Sequence, residues 1–462
     1  MPRPTRDPRQ LSLLLQTQGP VGARAILNAL EISAATLSRL VADAGPAVER
    51  IGTARNTRYA LRRPVRHWGD HWPVYRIDEI GRARAWGELR ALHGGFRFVP
   101  QETSVPGWMA RDYPDGIFPG LPFFLQDVRP QGYIGRAVAR EASARLGVPG
   151  DPGRWNDDDI LSYLVAKGRD LMGDIVLGDR ALEHALRQAE NQRAHAIADT
   201  QRETIYPTRA DAAQRGELVG SSAGGEQPKF LAEVLAADGG IRSVLVKFSS
   251  AESSPVSQRW ADLLCCEHLA AQTLHAHQVP CARTQLLNAG GRRFLEVERY
   301  DRTNETGRRG VATLGAIEDA FAREGSAEWL DAARLLEAAL VISPTDAQAL
   351  QWRWCFGDLI GNTDMHRANA SFWLGDEMPF PLAPAYDMVP MLYAPGAQGD
   401  LGERTFSRRP PLPRIAAVWT EAAVAAADFW QRVREDDRIS ADFRAIGARC
   451  ADQVNRMFNR YR

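Results

Sequence analysis

Apolar residues recur at changing intervals along the chain, and the changes mark out its elements. Helical spacing comes first, over Gln10–Thr17 and Gly22–Leu30. A tight turn at Glu31–Ser33 then leads into a third helix, Ala34–Ala44, capped by Ser33. Alternation takes over at Val48–Ile51 and Arg58–Leu61, around a hairpin loop at Gly52–Asn56. Three helices and a hairpin are the order of a winged helix-turn-helix, which sets residues 1–66 apart. Short strands are predicted at Val74–Ile77, Arg84–Trp86, Glu88–Leu92 and Phe96–Val99. They make residues 67–130 a small β-rich module ending in an irregular Pro-, Gly- and aromatic-rich connection from Pro106. Residues 131–302 mix helices (Gly132–Leu146, Asp157–Leu171, Asp179–Ala198, Trp260–His275) with strands (Phe230–Leu235, Ser243–Phe248, Phe294–Asp301). Residues 303–462 read as helical, at Ala327–Leu340, Ala347–Ile360, Ile415–Trp430 and Ala441–Tyr461.

Charge changes this picture locally. Basic and acidic residues balance at 57 each, so the whole chain is no polyelectrolyte. Residues 1–66, however, hold eleven arginines against four acidic residues. With Thr36 and Arg39 on the third helix and Arg55 and Arg58 on the hairpin, such a unit would offer DNA a recognition helix and an arginine-bearing wing. A small basic domain docked on the remainder of the chain has the same composition. Five cysteines form no C-x-x-C pair, and no window approaches the roughly 18 apolar residues of a membrane span. A cytoplasmic setting without a membrane is expected. Only three basic residues are lysines: Lys167, Lys229 and Lys247. Where lysine survives such a bias towards arginine, a compact ammonium aimed at a phosphate is one reason.

The densest polar pattern lies in Gly357–Asp387. The helix before it ends at Gly361 and Asn362, a loop carries Asp364, His366 and Asn369, and a strand-like Ser371–Leu374 precedes Asp387. An aspartate, an asparagine five residues on and a later aspartate are what metal-assisted phosphoryl transfer requires: a base, then two oxygen ligands for Mg²⁺. A polar loop capped by Asp and Asn is the plainer reading. Upstream, Leu218–Lys229 is a small-residue, Gly-rich run that ends Gly224-Gly-Glu-Gln-Pro-Lys229. A strand and not a helix follows it, so it is no Walker A loop. Lys247 sits on the returning strand, where kinases keep the lysine that grips the phosphates. Glu267 or Asp262 on the next helix could pair with it. Glu298 to Tyr300 stand where a hinge would meet adenine through backbone groups. A β-rich lobe, then a helical lobe, make the expected class α+β, a protein-kinase-like two-lobed fold.

Ser222–Lys229, Val246-Lys247, Val297–Arg302, Asn362–Asn369 and Ala385–Asp387 together resemble the HipA family of toxin Ser/Thr kinases, in the YjjJ-type branch that carries an N-terminal helix-turn-helix. The likeness covers about residues 70–460. It implies Asp364 as catalytic base and Asn369 and Asp387 as Mg²⁺ ligands. ATP would be bound by Gly224, Gly225, Glu226, Gln227, Lys229, Lys247, Glu298, Arg299, Tyr300, His366, Arg367, Asn369, Tyr386 and Asp387. It also implies self-phosphorylation at Ser222, with Ser221 adjacent, as an off-switch. The protein substrate would be a translation component such as an aminoacyl-tRNA synthetase, and an antitoxin and DNA would be partners. Pro228 departs from the family pattern by removing one backbone donor. An aminoglycoside/choline-type small-molecule kinase shares the D-x-H-x-x-N spacing, and a nucleotide-sensing transcription regulator would use the same fold without catalysis.

Overall fold

The computed structural model describes residues 7–102, 105–168, 170–216, 227–322, 325–326, 328–396, 398–408 and 410–461, without the side chain of Arg55. At the start, helices Pro8–Gln18, Ala23–Leu30 and Ala34–Ala44 stand on a small antiparallel sheet, ordered Val21–Gly22, Arg58–Leu61, Val48–Ile51. Local chemistry sets these boundaries. Asp7 and Ser33 accept from the first-turn amides of their helices, and Glu31 turns left-handed (φ 49°) to end the second one. Leu11, Leu15, Ile26, Leu37, Leu40, Val48 and Tyr59 close a core of their own.

This unit is joined to the next along the sheet edge. The Leu61 carbonyl accepts from His93 N–H at 2.9 Å, and the Ala91 carbonyl accepts from Arg63 N–H at 3.1 Å. Glu49 is buried at the joint among Arg62 (2.6 Å), Arg97 (2.9 Å) and Arg90 (3.3 Å). Burial pushes its carboxyl up, but Arg97, Arg90 and Arg62 outweigh that and hold it below the usual range. Arg63 binds Asp158 with both arms at 2.7 Å, and Arg66 pairs with Asp159.

A five-stranded sheet follows, ordered Ile117–Phe118, Gly95–Pro100, Ala83–Leu92, His71–Ile77, Ile175–Leu177. Two expectations need correction here. The pieces Arg84–Trp86 and Glu88–Leu92 are one strand, with Gly87 inside it because a Cβ there would meet the Val99 carbonyl at 2.5 Å. The boundary at 130/131 also cuts through a unit. Ile175–Leu177 pairs with His71–Ile77, and helices Gly132–Leu146 and Asp157–Lys167 share the core built on Trp86, Phe98, Trp108 and Phe124. Three apolar residues give no periodicity of their own, so this last strand is invisible until the sheet accepts it.

The third sheet runs Thr284–Ala289, Arg292–Glu298, Ile241–Phe248, Lys229–Leu235, Ile197–Ala198. Helix Pro255–Ala276 packs on it, and so does Arg202–Gln214, whose Tyr206 hydroxyl donates to buried Glu296 at 2.7 Å. Pro207 lies inside that second helix and disguises it in the sequence. The remainder is helical, with Leu314–Phe321, Trp329–Ala338, Pro344–Leu359, Ala416–Glu435 and Ala441–Tyr461, plus a strand pair, Val311–Thr313 with Ser371–Trp373. No single described helix is long and apolar enough to cross a membrane.

Candidate active site

Helix Pro344–Leu359 delivers the polar loop. Gly361, left-handed at φ 79°, turns the chain out of the helix. Asn362 then ties two segments together: its Oδ1 accepts from Asp364 N–H at 3.1 Å, and its Nδ2 donates to the Asp387 carbonyl at 3.2 Å. Asn369 closes the loop by donating from Nδ2 to the Asp364 carbonyl at 2.8 Å, which turns its Oδ1 away. The Tyr386 hydroxyl donates to the Ala368 carbonyl at 2.6 Å. Asp387 itself is a non-glycine residue at φ 58°, a conformation that costs energy and is kept at sites where side-chain placement matters.

The sheet supplies the facing groups. Lys247 and Lys229 lie directly opposite each other on paired strands, and both are buried. Lys247 Nζ donates to Glu267 Oε1 and Oε2 at 2.7 and 2.8 Å and to Asp387 Oδ1 at 2.5 Å. Burial alone would depress the ammonium, but Asp387 and Glu267 hold it above the ordinary lysine value. Asp387 is pushed up by burial and pulled below the usual range by Lys247 and Lys229, whereas Glu267 stays above it. Asp364 stands exposed at the cleft mouth. Desolvation raises its carboxyl, His366 lowers it, Asp387 raises it, and the net shift is upward.

Two cavities meet here. One, of about 180 Å³, has apolar walls from Leu231, Leu245, Val297 and Tyr386 and reaches Lys247, Asn369 and Asp387. The other, of about 200 Å³, is lined by Gln227, Trp260, Asp364 and Met391 and shares those three polar residues and Lys229 with the first. The hard oxygens of Asn369 and Asp387 fit Mg²⁺, because the asparagine amide nitrogen is already engaged with Asp364 and leaves its carbonyl to a cation. A larger hollow of about 630 Å³, beside helix Asp179–His195, contains none of these polar groups.

Residues 68–186 match a family model described as the YjjJ-like toxin middle domain, and residues 221–457 match the HipA-like C-terminal domain. Over 445 residues, 96% of this chain and 97% of the relative, the chain is 37% identical to Toxin YjjJ of Escherichia coli (strain K12). The chain belongs to the YjjJ-like, HipA-type toxins. Its mixed α+β fold is shared with a Shewanella oneidensis MR-1 HipA chain solved with HipB and its operator DNA. That likeness has a TM-score of 0.51 at 16% identity and covers 84% of this chain and 97% of the other. Helicobacter pylori proinflammatory kinase CtkA overlays at a TM-score of 0.38 and 12% identity, over 52% of this chain and 92% of the other.

In this HipA-type toxin, Lys229, Lys247, Glu298, Arg299, Tyr300, His366, Asn369, Tyr386 and Asp387 line one cavity, while Gln227 and Asp364 line its neighbour. Arg367 is not among them. It pairs with Glu318 at 3.0 Å and Asp319 at 2.7 Å, tying the loop to helix Leu314–Phe321. At the hinge, two backbone donors are already engaged. Glu298 N–H donates to the Arg283 carbonyl and Arg299 N–H to that of Ser243, so these two amides serve the sheet. The Arg299 guanidinium is held by Asp170 and Asp301. Glu267, not Asp262, faces Lys247, since Asp262 accepts from Ser440 N–H and Oγ. Ser221, Ser222, Gly224, Gly225 and Glu226 lie outside the described residues.

In the N-terminal unit, exposed Arg39 lies beside Thr36, 3.4 Å away on the third helix. Arg58 donates to the Pro20 carbonyl at 2.8 Å with Asp115 at 3.9 Å, and its side chain stays 41% exposed. Sequence reasoning missed Asp127, Arg129, Gln131 and Met172, middle-unit residues that line the apolar-walled cavity. No local motif marks them.

Proposed function

We propose that this toxin is an ATP-dependent Ser/Thr protein kinase that acts on a protein hydroxyl, with a translation component as the substrate class. The observation that carries the reading is the shared edge of the two cavities. Lys229, Lys247, Asn369 and Asp387 border both, while Asp364 lines only the second, where an acceptor hydroxyl would enter. ATP would place its base against the apolar walls of the first cavity and its phosphates towards Lys247 and Lys229. Asp364 would accept the acceptor's proton, and Asn369 and Asp387 would hold Mg²⁺. When bound, that ion neutralises phosphate charge. Self-phosphorylation at Ser222 is part of the proposal, because a dianion introduced beside phosphate-binding amides would change the loop's preferred state.

Intact-mass measurement and peptide mapping after incubation with Mg²⁺-ATP test this. One added phosphate on Ser222, absent from Asp364→Ala, is the expected result. No phosphate on the chain or on any co-incubated protein would sink the kinase reading.

We further propose that residues 1–66 bind duplex DNA through the third helix as a winged helix-turn-helix. Exposed Arg39 beside Thr36 favours this, together with the local excess of arginine. An antitoxin partner is part of the same reading. The opposing fact is that Arg62, Arg63 and Arg66 are engaged at the domain joint, which reduces the charge left for phosphate.

A further inference from the structure

Five carboxylates line the apolar-walled cavity among the described residues: Asp127, Glu267, Glu298, Asp301 and Asp387. Three are paired with cations. Glu267 and Asp387 are bound to Lys247. Asp301 is locked between Arg299, Arg302 and the Gly173 amide. Glu298, which borders the cavity at the end of its strand, is in phase with Glu296, whose side chain meets Arg202 and Tyr206 on the opposite face of the sheet.

Asp127 is different, because its two fixed partners are both donors from Thr313. Oδ2 accepts the Thr313 amide at 2.6 Å and Oδ1 accepts its hydroxyl at 2.7 Å. Each oxygen retains acceptor capacity. Thr313 in turn caps helix Leu314–Phe321 and pairs in register with Ser371, directly after the polar loop. Asp127 is therefore tied through Thr313 to the segment that follows the polar loop, and it lines the same cavity as Ala368 and His366. Its charged neighbours are Arg129 and Asp319, away from the lysines at the phosphate end. Burial keeps its carboxyl at about 6 in spite of the two Thr313 hydrogen bonds. A carboxylate that lines this apolar-walled cavity apart from its lysines, offering two oriented acceptor oxygens, suits a vicinal diol, which donates two hydrogen bonds and carries no charge.

We propose that Asp127 receives the ribose hydroxyls of the nucleotide and sets a preference for ribonucleotides over deoxyribonucleotides. The middle unit thereby contributes a charged group to a site whose Lys247, Asn369 and Asp387 come from the C-terminal region. This inference rests on the cleft being a nucleotide site.

The test is calorimetric titration of the full chain with ADP, 2′-deoxyADP and 2′,3′-dideoxyADP, for wild type and Asp127→Asn. Asparagine can keep both Thr313 contacts while losing the charge. The wild type is expected to bind ADP about tenfold or more tighter than the dideoxy form, as charge-assisted hydrogen bonds imply. Asp127→Asn is expected to remove that preference by weakening ADP most, 2′-deoxyADP less and the dideoxy form not at all. Wild type binding all three nucleotides alike overturns the ribose assignment, whatever the variant does. A variant that weakens all three equally also overturns it, as a structural effect would. Wild type binding none of them removes the nucleotide reading and this inference together.

Discussion

At Lys247, burial and charge pull in opposite directions, and charge wins because two carboxylates reach one ammonium within 2.8 Å. A guanidinium is larger and planar, and cannot sit at the same point between Glu267 and Asp387. Lys247→Arg should lower phosphoryl-transfer turnover by about 100-fold, the scale for losing one aimed electrostatic group. Turnover near that of the wild type would remove Lys247 from the chemistry. Asp364 yields a pH prediction. A base works deprotonated, and desolvation and Asp387 hold this one above the ordinary aspartate value despite His366. Activity should therefore fall, as pH drops, at a higher pH than an unperturbed aspartate would give, which a rate profile at saturating nucleotide would read. Both residues were legible in the sequence, one by its rarity and one by its spacing from Asn369. Their partners were less so: Glu267 and Asp262 lie five residues apart on one helix, and only its packing decides which faces the strand.

At the scale of elements, the helices and strands of residues 7–61 form where local spacing and caps require them, because Ser33, Glu31 and Gly45 punctuate the chain chemically. What each arginine does was not legible, since exposure depends on what docks against it. Arg39→Ala should weaken duplex binding and reduce its salt slope by about 1, as the loss of one phosphate contact does. Arg58→Ala should instead lower the melting temperature, by about 1 kcal/mol of stability, through the lost bond to the Pro20 carbonyl. Retention on DNA unaltered by Arg39→Ala would favour a docking role for the unit. Helix Arg202–Gln214 and strand Ile175–Leu177 escaped sequence reading for opposite reasons. Pro207 breaks an otherwise helical pattern, and three apolar residues are too few to make one.

For the whole molecule, buried ion clusters hold the units together. Arg76 binds Asp174 and Asp376 at 2.7 and 2.9 Å, linking the middle sheet to the C-terminal region, and Asp170 joins Arg299 and Arg302 behind the hinge. Glu49 does the same for the N-terminal unit. Glu49→Ala leaves three arginines facing one another, and should cost about 3 kcal/mol at that joint. Early proteolysis within residues 1–66, with nucleotide affinity retained, is the expected signature; wild-type resistance would show the joint to be held by its backbone bonds alone.

The sequence by itself determined the caps, the turns, the amphipathic helices and the pattern of acid, amide and lysine at the cleft, because those depend on neighbours a few residues apart. Tertiary structure alone decided that Ile175–Leu177 completes the middle sheet, that Glu267 holds Lys247, that Arg58 and Arg367 turn to structural partners, and that Asp127 enters the cavity. Each of these follows from which surfaces meet after folding. Burial then favours the pairings that bring carboxylates to Lys247 and arginines to Glu49, and that selection has no local trace in the chain.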